Sequence, residues 1–192
     1  MLILVIGLVM FFVLHSVQII APKWREEGIL RHGKMRWQMR FGMGALIAVA
    51  FIWMGFTQVR LDPTWVWLPP GWIRQVSSLL MLVSFYFAAC ALIPGTKLKA
   101  MTGRPFLLAV KLWAFAHLIS NGKLEDIIIF GSFLVWSIVA YAVLRRRDRA
   151  EDVKHEYIGI HMDLAAFTIT MIAWFGMVFY FHKLLFGVAP LV

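Results

Sequence analysis

The sequence predicts an all-α membrane protein, a single bundle of about six transmembrane helices with the N-terminus and C-terminus outside. Three observations carry this reading. The first is composition: of 192 residues, 61% are hydrophobic and 15% charged, with a mean hydropathy of +0.79, outside the range of soluble globular domains. The second is periodicity. Apolar runs fall at about 1–21, 41–59, 74–93, 106–121, 125–144 and 162–186, each near the ~20 residues that an α-helix needs to cross a bilayer core. They fill nearly the whole chain, which predicts one integral membrane domain over residues 1–192 and leaves no room for a soluble one. The third is charge: fourteen of the nineteen lysines and arginines lie in the first, third and fifth loops, and the positive-inside rule places those loops in the cytoplasm. The same distribution explains the net charge of +9. It sets topology and attracts anionic head groups, so the expected partner is membrane lipid and not nucleic acid.

The first run, MLILVIGLVMFFVLHSVQIIAP, has no basic segment ahead of it and no small-residue cleavage site, so it reads as a retained span. Near its cytoplasmic end His15 is bordered by Phe11, Phe12 and Ile19. An imidazole there needs a carbonyl, a hydroxyl, a carboxylate or a metal as partner. Residues 22–40 mix Trp24 and Trp37 with six basic side chains, the composition of a segment lying along the head groups. The second span opens with Gly42 and Gly44, where a neighbouring helix is expected to come close. In the following outer loop, RLDPTWVWLPPGW, three prolines forbid a helix and three tryptophans suit the interface, so it reads as a cap over that end of the bundle. The third span carries Ser77, Ser78, Ser84 and the single cysteine, Cys90, which excludes an internal disulfide and a cysteine-cluster metal site.

The fourth span, RPFLLAVKLWAFAHLISNGKLED, is the most informative stretch. Pro105 suits its first helical position. Trp113, His117, Ser120 and Asn121 recur at helical spacing and share one face, while Ala114 and Ala116 let a flat group or another helix approach. An ionisable group inside a membrane costs about 2.5–3.5 kcal/mol on insertion scales, so Lys111 and His117 mark a candidate site. They also suit a plainer role, binding two helices together. Glu125 and Asp126 open the fifth span, where the helix dipole favours negative charge. The segment RRRDRAEDVKHE after it reads as a solvated loop. The sixth span runs from His161 and Asp163 to His182 and Lys183, groups placed to snorkel at the two interfaces. No phosphate-binding loop, HExxH zinc helix or GxSxG elbow is present.

Two histidines on different spans, each beside aromatic residues, are the minimum for a bis-imidazole haem site. His15 and His117 are the candidate metal ligands, Trp113 would flank the ring, and Lys111 or the arginines of the inner loops would meet its carboxylates. Depth tests the pairing. His15 lies seven positions before Pro22 and His117 twelve after Pro105, an offset of ~8 Å at 1.5 Å per residue. His161 and His182 are the alternative partners.

The segments LHSVQIIAPKWRE, LDPTWVWLPPGW and RPFLLAVKLWAFAHLISNG resemble the NnrU family of bacterial membrane proteins, over about residues 1–150. The resemblance implies a bacterial inner membrane, a part in nitrite and nitric oxide handling during denitrification, and denitrification enzymes as candidate partners. Relatives of that family include the 15-cis-ζ-carotene isomerase of plants and cyanobacteria, which is similar at His15-Ser16 and at the WxxAH of Trp113 to His117. The isomerase uses haem b held by histidines in those two motifs, so the resemblance pairs His15 with His117. Two positions depart: Ala114 stands where the isomerase has cysteine, and Arg104 where the family usually has histidine. Three readings follow: a haem-b protein supporting nitrite and nitric oxide metabolism, a haem-dependent cis–trans isomerase of a conjugated polyene such as a carotenoid, and a cofactor-free structural or assembly partner of a membrane reductase.

Overall fold

A computed structural model describes residues 1–191. In chain order its helices are α1 (Leu2–Ile20), α2 (Pro22–His32), α3 (Lys34–Val59), α4 (Ile73–Leu92), α5 (Lys97–Thr102), α6 (Pro105–Ser120), α7 (Leu124–Ala150), α8 (Ile160–Gly176) and α9 (His182–Phe186). A π-helical turn, Met177–Phe181, joins α8 to α9, so that Ile160–Phe186 forms one continuous rod. With α1, α3, α4 and α7 this gives five helices long and apolar enough to cross a membrane. The sixth apolar run is α6, which has 16 residues and is therefore about 24 Å long. Large apolar side chains such as Leu2, Val13, Leu46, Leu164 and Ile172 face outward, which suits contact with lipid.

The helices pack in the spatial order α3, α1, α7, α6, α4, α8. Arg60, just past α3, closes the series: both its terminal nitrogens donate to the Phe186 carbonyl at 3.1 Å. Helices α1 and α3 approach backbone to backbone at two glycines. A Cβ on Gly55 would strike the backbone of Leu4, and one on Gly7 the backbone of Phe51 and Ile52. Gly42, expected to serve this purpose, faces open space, and Gly44 meets only the end of Leu14. A small residue permits contact only where it faces a partner, and composition does not reveal the facing.

Helix α6 lies between α4 and α7, with Ala109, Ala114 and Ala116 buried. The α4 serines tie it in: Ser77 Oγ donates to the Ala116 carbonyl at 3.0 Å and Ser84 Oγ to that of Ala109 at 2.8 Å. Each such bond between helices stabilises by about 0.6–2 kcal/mol. The tryptophan-rich loop does cap one end of the bundle. The backbone N–H groups of Val66 and Trp67 donate to the Gly122 carbonyl at 2.8 and 3.2 Å, and that of Leu124 to Thr64 at 2.8 Å. Glycine is required at 122 because a Cβ there would run into the Trp67 carbonyl. Among the described residues an isolated bridge, Trp65 to Lys123, is the nearest thing to a strand.

The opposite end carries the basic loops, and there the sequence expectation changes. Residues 145–150 are not a solvated loop but the last turns of α7. Asp148, its side chain 6% exposed, accepts from Arg104 Nε at 2.7 Å and from a terminal nitrogen at 2.6 Å. A two-pronged pair of this kind is what allows a carboxylate to be buried, and it holds the start of α6 against the end of α7. Arg104 thus serves as a structural cation.

Candidate functional site

His15 and His117 are anchored alike by their own helices. His15 Nδ1 donates to the Phe11 carbonyl at 2.8 Å, and His117 Nδ1 to the Trp113 carbonyl at 2.9 Å. A carbonyl only accepts, so Nδ1 carries the proton and the lone pair of the neutral ring lies on Nε2. Metal-bound histidines are usually held in this way, the second ring nitrogen being fixed by a backbone or side-chain acceptor. Aromatic rings set the orientation of both. His15 stacks on Phe11 at 3.8 Å between centroids and meets Phe41 edge-on at 5.0 Å. His117 stacks on Phe130 at 4.6 Å and leans on Trp113 at 5.4 Å.

The structure does not bring these two rings together. Contact passes from His15 through Phe11, Phe133 and Trp113 to His117, with centroid steps of 3.8, 5.1, 5.3 and 5.4 Å. Their depths explain the separation. His15 lies five residues before the end of α1 on the basic side, and His117 three residues before the end of α6 on the capped side. Trp113 packs edge-on against Phe130 and Phe133, so it belongs to the aromatic core shared by α1, α6 and α7.

Each histidine has its own surroundings. A cleft of about 360 Å³ opens beside His15 and is lined by Val17, Trp37 and Phe41 together with the polar side chains of Gln18, Arg25 and Gln38. Lys111 Nζ sits 4.9 Å above the Tyr141 ring, in the cluster that includes Ile19 and Trp136; Trp136 also meets His15, edge-on at 6.2 Å. The ammonium is thus held over an aromatic ring of α7. Facing His117 is His182 from the last span, its ring centroid 6.4 Å away and its plane 24° off parallel. The remaining alternative, His161, sits beside Gly159 near the start of α8.

Three buried carboxylates are not legible as such in the sequence: Asp148 reads as solvated, and Glu125 and Asp126 as a favourable helix start. Glu125 is fully buried, and neither of its carboxylate oxygens has a hydrogen-bond partner. Helix-dipole logic gives the position of an acid along a helix but not the direction it faces.

Among the described residues no group of three or more histidine, cysteine or carboxylate side chains converges. A single imidazole with Nε2 left free is a donor of the kind that haem iron takes, its equatorial positions being filled by the porphyrin itself. The residues present therefore fit the ligand chemistry of haem b at His117 and at His15 taken singly, while Phe133 and Trp113 occupy the route between them.

No curated protein matches the chain, and no solved structure matches it. The family model described as NnrU protein matches residues 3–190. The match runs well past residue 150, where the likeness read from the sequence was expected to end, and takes in the whole last span with His182. The chain belongs to the NnrU family.

Proposed function

We propose that this NnrU-family membrane protein binds b-type haem through imidazole nitrogen and serves nitrite and nitric oxide metabolism. One observation carries the haem half: two histidines inside an apolar bundle, His15 and His117, each with Nδ1 committed to a backbone carbonyl and Nε2 left for a ligand. When bound, haem iron would supply a one-electron couple. The chain's own part is to fix the tautomer of each ring, to hold it by stacking on Phe11 or Phe130, and to exclude water with the aromatic core around Trp113 and Phe133. Arg25 places positive charge in the cleft beside His15, where carboxylate groups of a bound ring would find it. What supports the tie to nitrite and nitric oxide is the likeness to the NnrU family.

Optical spectra of the full chain, purified from cells with ample haem, test the first half. A Soret band that shifts on reduction is expected, and its absence would overturn the proposal. Deleting the gene and following nitrite and nitric oxide consumption tests the second half, which falls if both fluxes are unchanged. One observation favours a cofactor-free reading: Phe11, Phe133 and Trp113 already form continuous ring contact between the two histidines. On that reading the imidazoles only bind helices together, and the purified protein is colourless.

A further inference from the structure

The segment that joins α1 to α3 is a folded clasp with a cleft of its own. Only Ala21 separates α1 from α2, and Gly33, at φ +82°, turns the chain from α2 into α3. Helix α2 then lies against the first turns of α3 because Gly28 leaves room for an indole: a Cβ there would strike the Trp37 ring. Trp24, one helical turn before Gly28, meets Trp37 edge-on at 5.2 Å between centroids.

Between this clasp and the end of α1 lies a cleft of about 300 Å³, at the small end of the ~300–1,000 Å³ usual for ligand pockets. Its lining is of two kinds. Leu14, Val17 and Phe41, with the two indoles, are apolar, while Arg31 and Arg40 bring positive charge. Arg31 is loosely paired with Glu27 at 4.0 Å, both side chains well exposed, an arrangement that contributes little. The Arg40 side chain has no hydrogen bond or ion pair among the described residues. Met10 and Val13 lie one turn before Leu14 and Val17 on the same face of α1, and both are exposed, so an apolar track leads from the cleft along the outside of the bundle. Residues 22–40 carry six basic side chains against Glu26 and Glu27, and Trp24, Leu30, Met35 and Met39 are exposed, the make-up of a unit lying in the head-group layer.

We infer that this cleft holds one anionic phospholipid, its phosphate on Arg31 and Arg40 and the upper part of an acyl chain against Leu14 and Val17. Each part of that ligand meets a feature of the lining. A guanidinium takes a phosphate through two parallel hydrogen bonds, and basic pockets beside membrane helices take anionic head groups. The apolar track suits a chain and not a soluble anion. The surplus of positive charge disfavours a zwitterionic lipid, whose own ammonium the arginines would repel. A single seat of this kind goes beyond a general attraction of basic loops to the membrane surface. It does not depend on the haem reading: the cleft shares Trp37 with the one beside His15 but is lined by neither His15 nor Arg25.

The test titrates the full chain, in neutral detergent, with dioleoyl phosphatidylglycerol and counts bound lipid by native mass spectrometry. One phosphatidylglycerol per chain is expected, with dioleoyl phosphatidylcholine, which has the same chains and no net charge, bound at least about fivefold more weakly. Arg40→Gln is expected to weaken phosphatidylglycerol about fivefold, the weight of one basic side chain near an anionic partner, and Arg31→Gln combined with Arg40→Gln about 25-fold. Arg149→Gln, exposed at the same end of the bundle but outside the cleft, leaves binding unchanged. Gly28→Val keeps every charge but displaces Trp37, and it is expected to weaken binding by a factor similar to that of Arg40→Gln, with helix content intact by circular dichroism. Equal binding of the two lipids overturns the inference, as does an equal loss in Arg149→Gln and Arg40→Gln, which would make the effect one of overall charge. Wild-type affinity in Gly28→Val would place the lipid elsewhere. Displacement of the lipid by glycerol phosphate, which has the head-group charge and no chain, would make this a site for a soluble anion and overturn the inference too.

Discussion

Replacing Arg104 with alanine strands the Asp148 carboxylate at the basic end of the bundle. The pair is joined by two charge-assisted hydrogen bonds of 2.6 and 2.7 Å, with the carboxylate side chain 6% exposed and the arginine 33% exposed. Removing one partner of a fully buried pair costs about 3–5 kcal/mol, and an exposed pair contributes about 1 kcal/mol or less. Arg104 is open to solvent along about a third of its side chain, so the expected loss is intermediate, about 2 kcal/mol. Asp148→Ala removes the charge that needs a partner and is expected to cost less. The double variant lacks the stranded carboxylate, which gives a coupling energy of about 1–2 kcal/mol in a double-mutant cycle. Arg104→His keeps one of the two bonds and falls between wild type and alanine. Unfolding in mixed micelles with increasing dodecyl sulfate, followed by the fluorescence of the nine tryptophans, measures all four variants. A coupling below about 0.3 kcal/mol, the level at which independent sites simply add, would show that the pair does not hold α6 to α7.

The glycines offer a matched pair of perturbations. Gly55→Val is expected to separate α1 from α3 and to cost about 1–3 kcal/mol, while Gly42→Ala meets nothing and gains about 0.5–1 kcal/mol from helix propensity; the same unfolding assay reads both, and equal effects would contradict the helix contact. Ser84→Ala removes the bond to the Ala109 carbonyl and is expected to cost about 0.6–2 kcal/mol, checked by the same curves. Gly122→Ala pushes the Trp67 carbonyl away and should free the tryptophan loop, seen as faster proteolysis between residues 60 and 72 with the helices intact; an unchanged cleavage rate would refute the cap.

Much of this architecture was legible because hydrocarbon demands long apolar runs, and those runs leave few alternatives. The helical spans, the capping loop and the central place of the Lys111 to Asn121 stretch followed from length, proline position and the cost of buried polar groups. Facing was the part that could not be read. Gly42 and Gly55 are identical as residues, yet only Gly55 meets a neighbouring backbone. Asp148 lies in a run of charges that suits solvent, and contacts far away in the chain, Asp148 with Arg104 and Arg147 with the Gln18 carbonyl, hold the last turns of a helix that continues to Ala150. His182 reads in the sequence as an interfacial group, and its ring stands 6.4 Å from that of His117, a contact that spacing does not reveal. The ~8 Å offset between His15 and His117 was a correct warning, since the two rings are linked only through three others.

The central claim is that the imidazoles of His15 and His117 hold haem in this bundle. The most direct measurement is the haem content of purified protein, by pyridine haemochrome against protein concentration, in the wild type and in the double variant His15→Ala with His117→Ala. The account predicts haem in the wild type and its loss in the double variant, with both proteins showing the same helix content by circular dichroism. A wild type without haem, or a double variant that keeps all of it, would contradict the account.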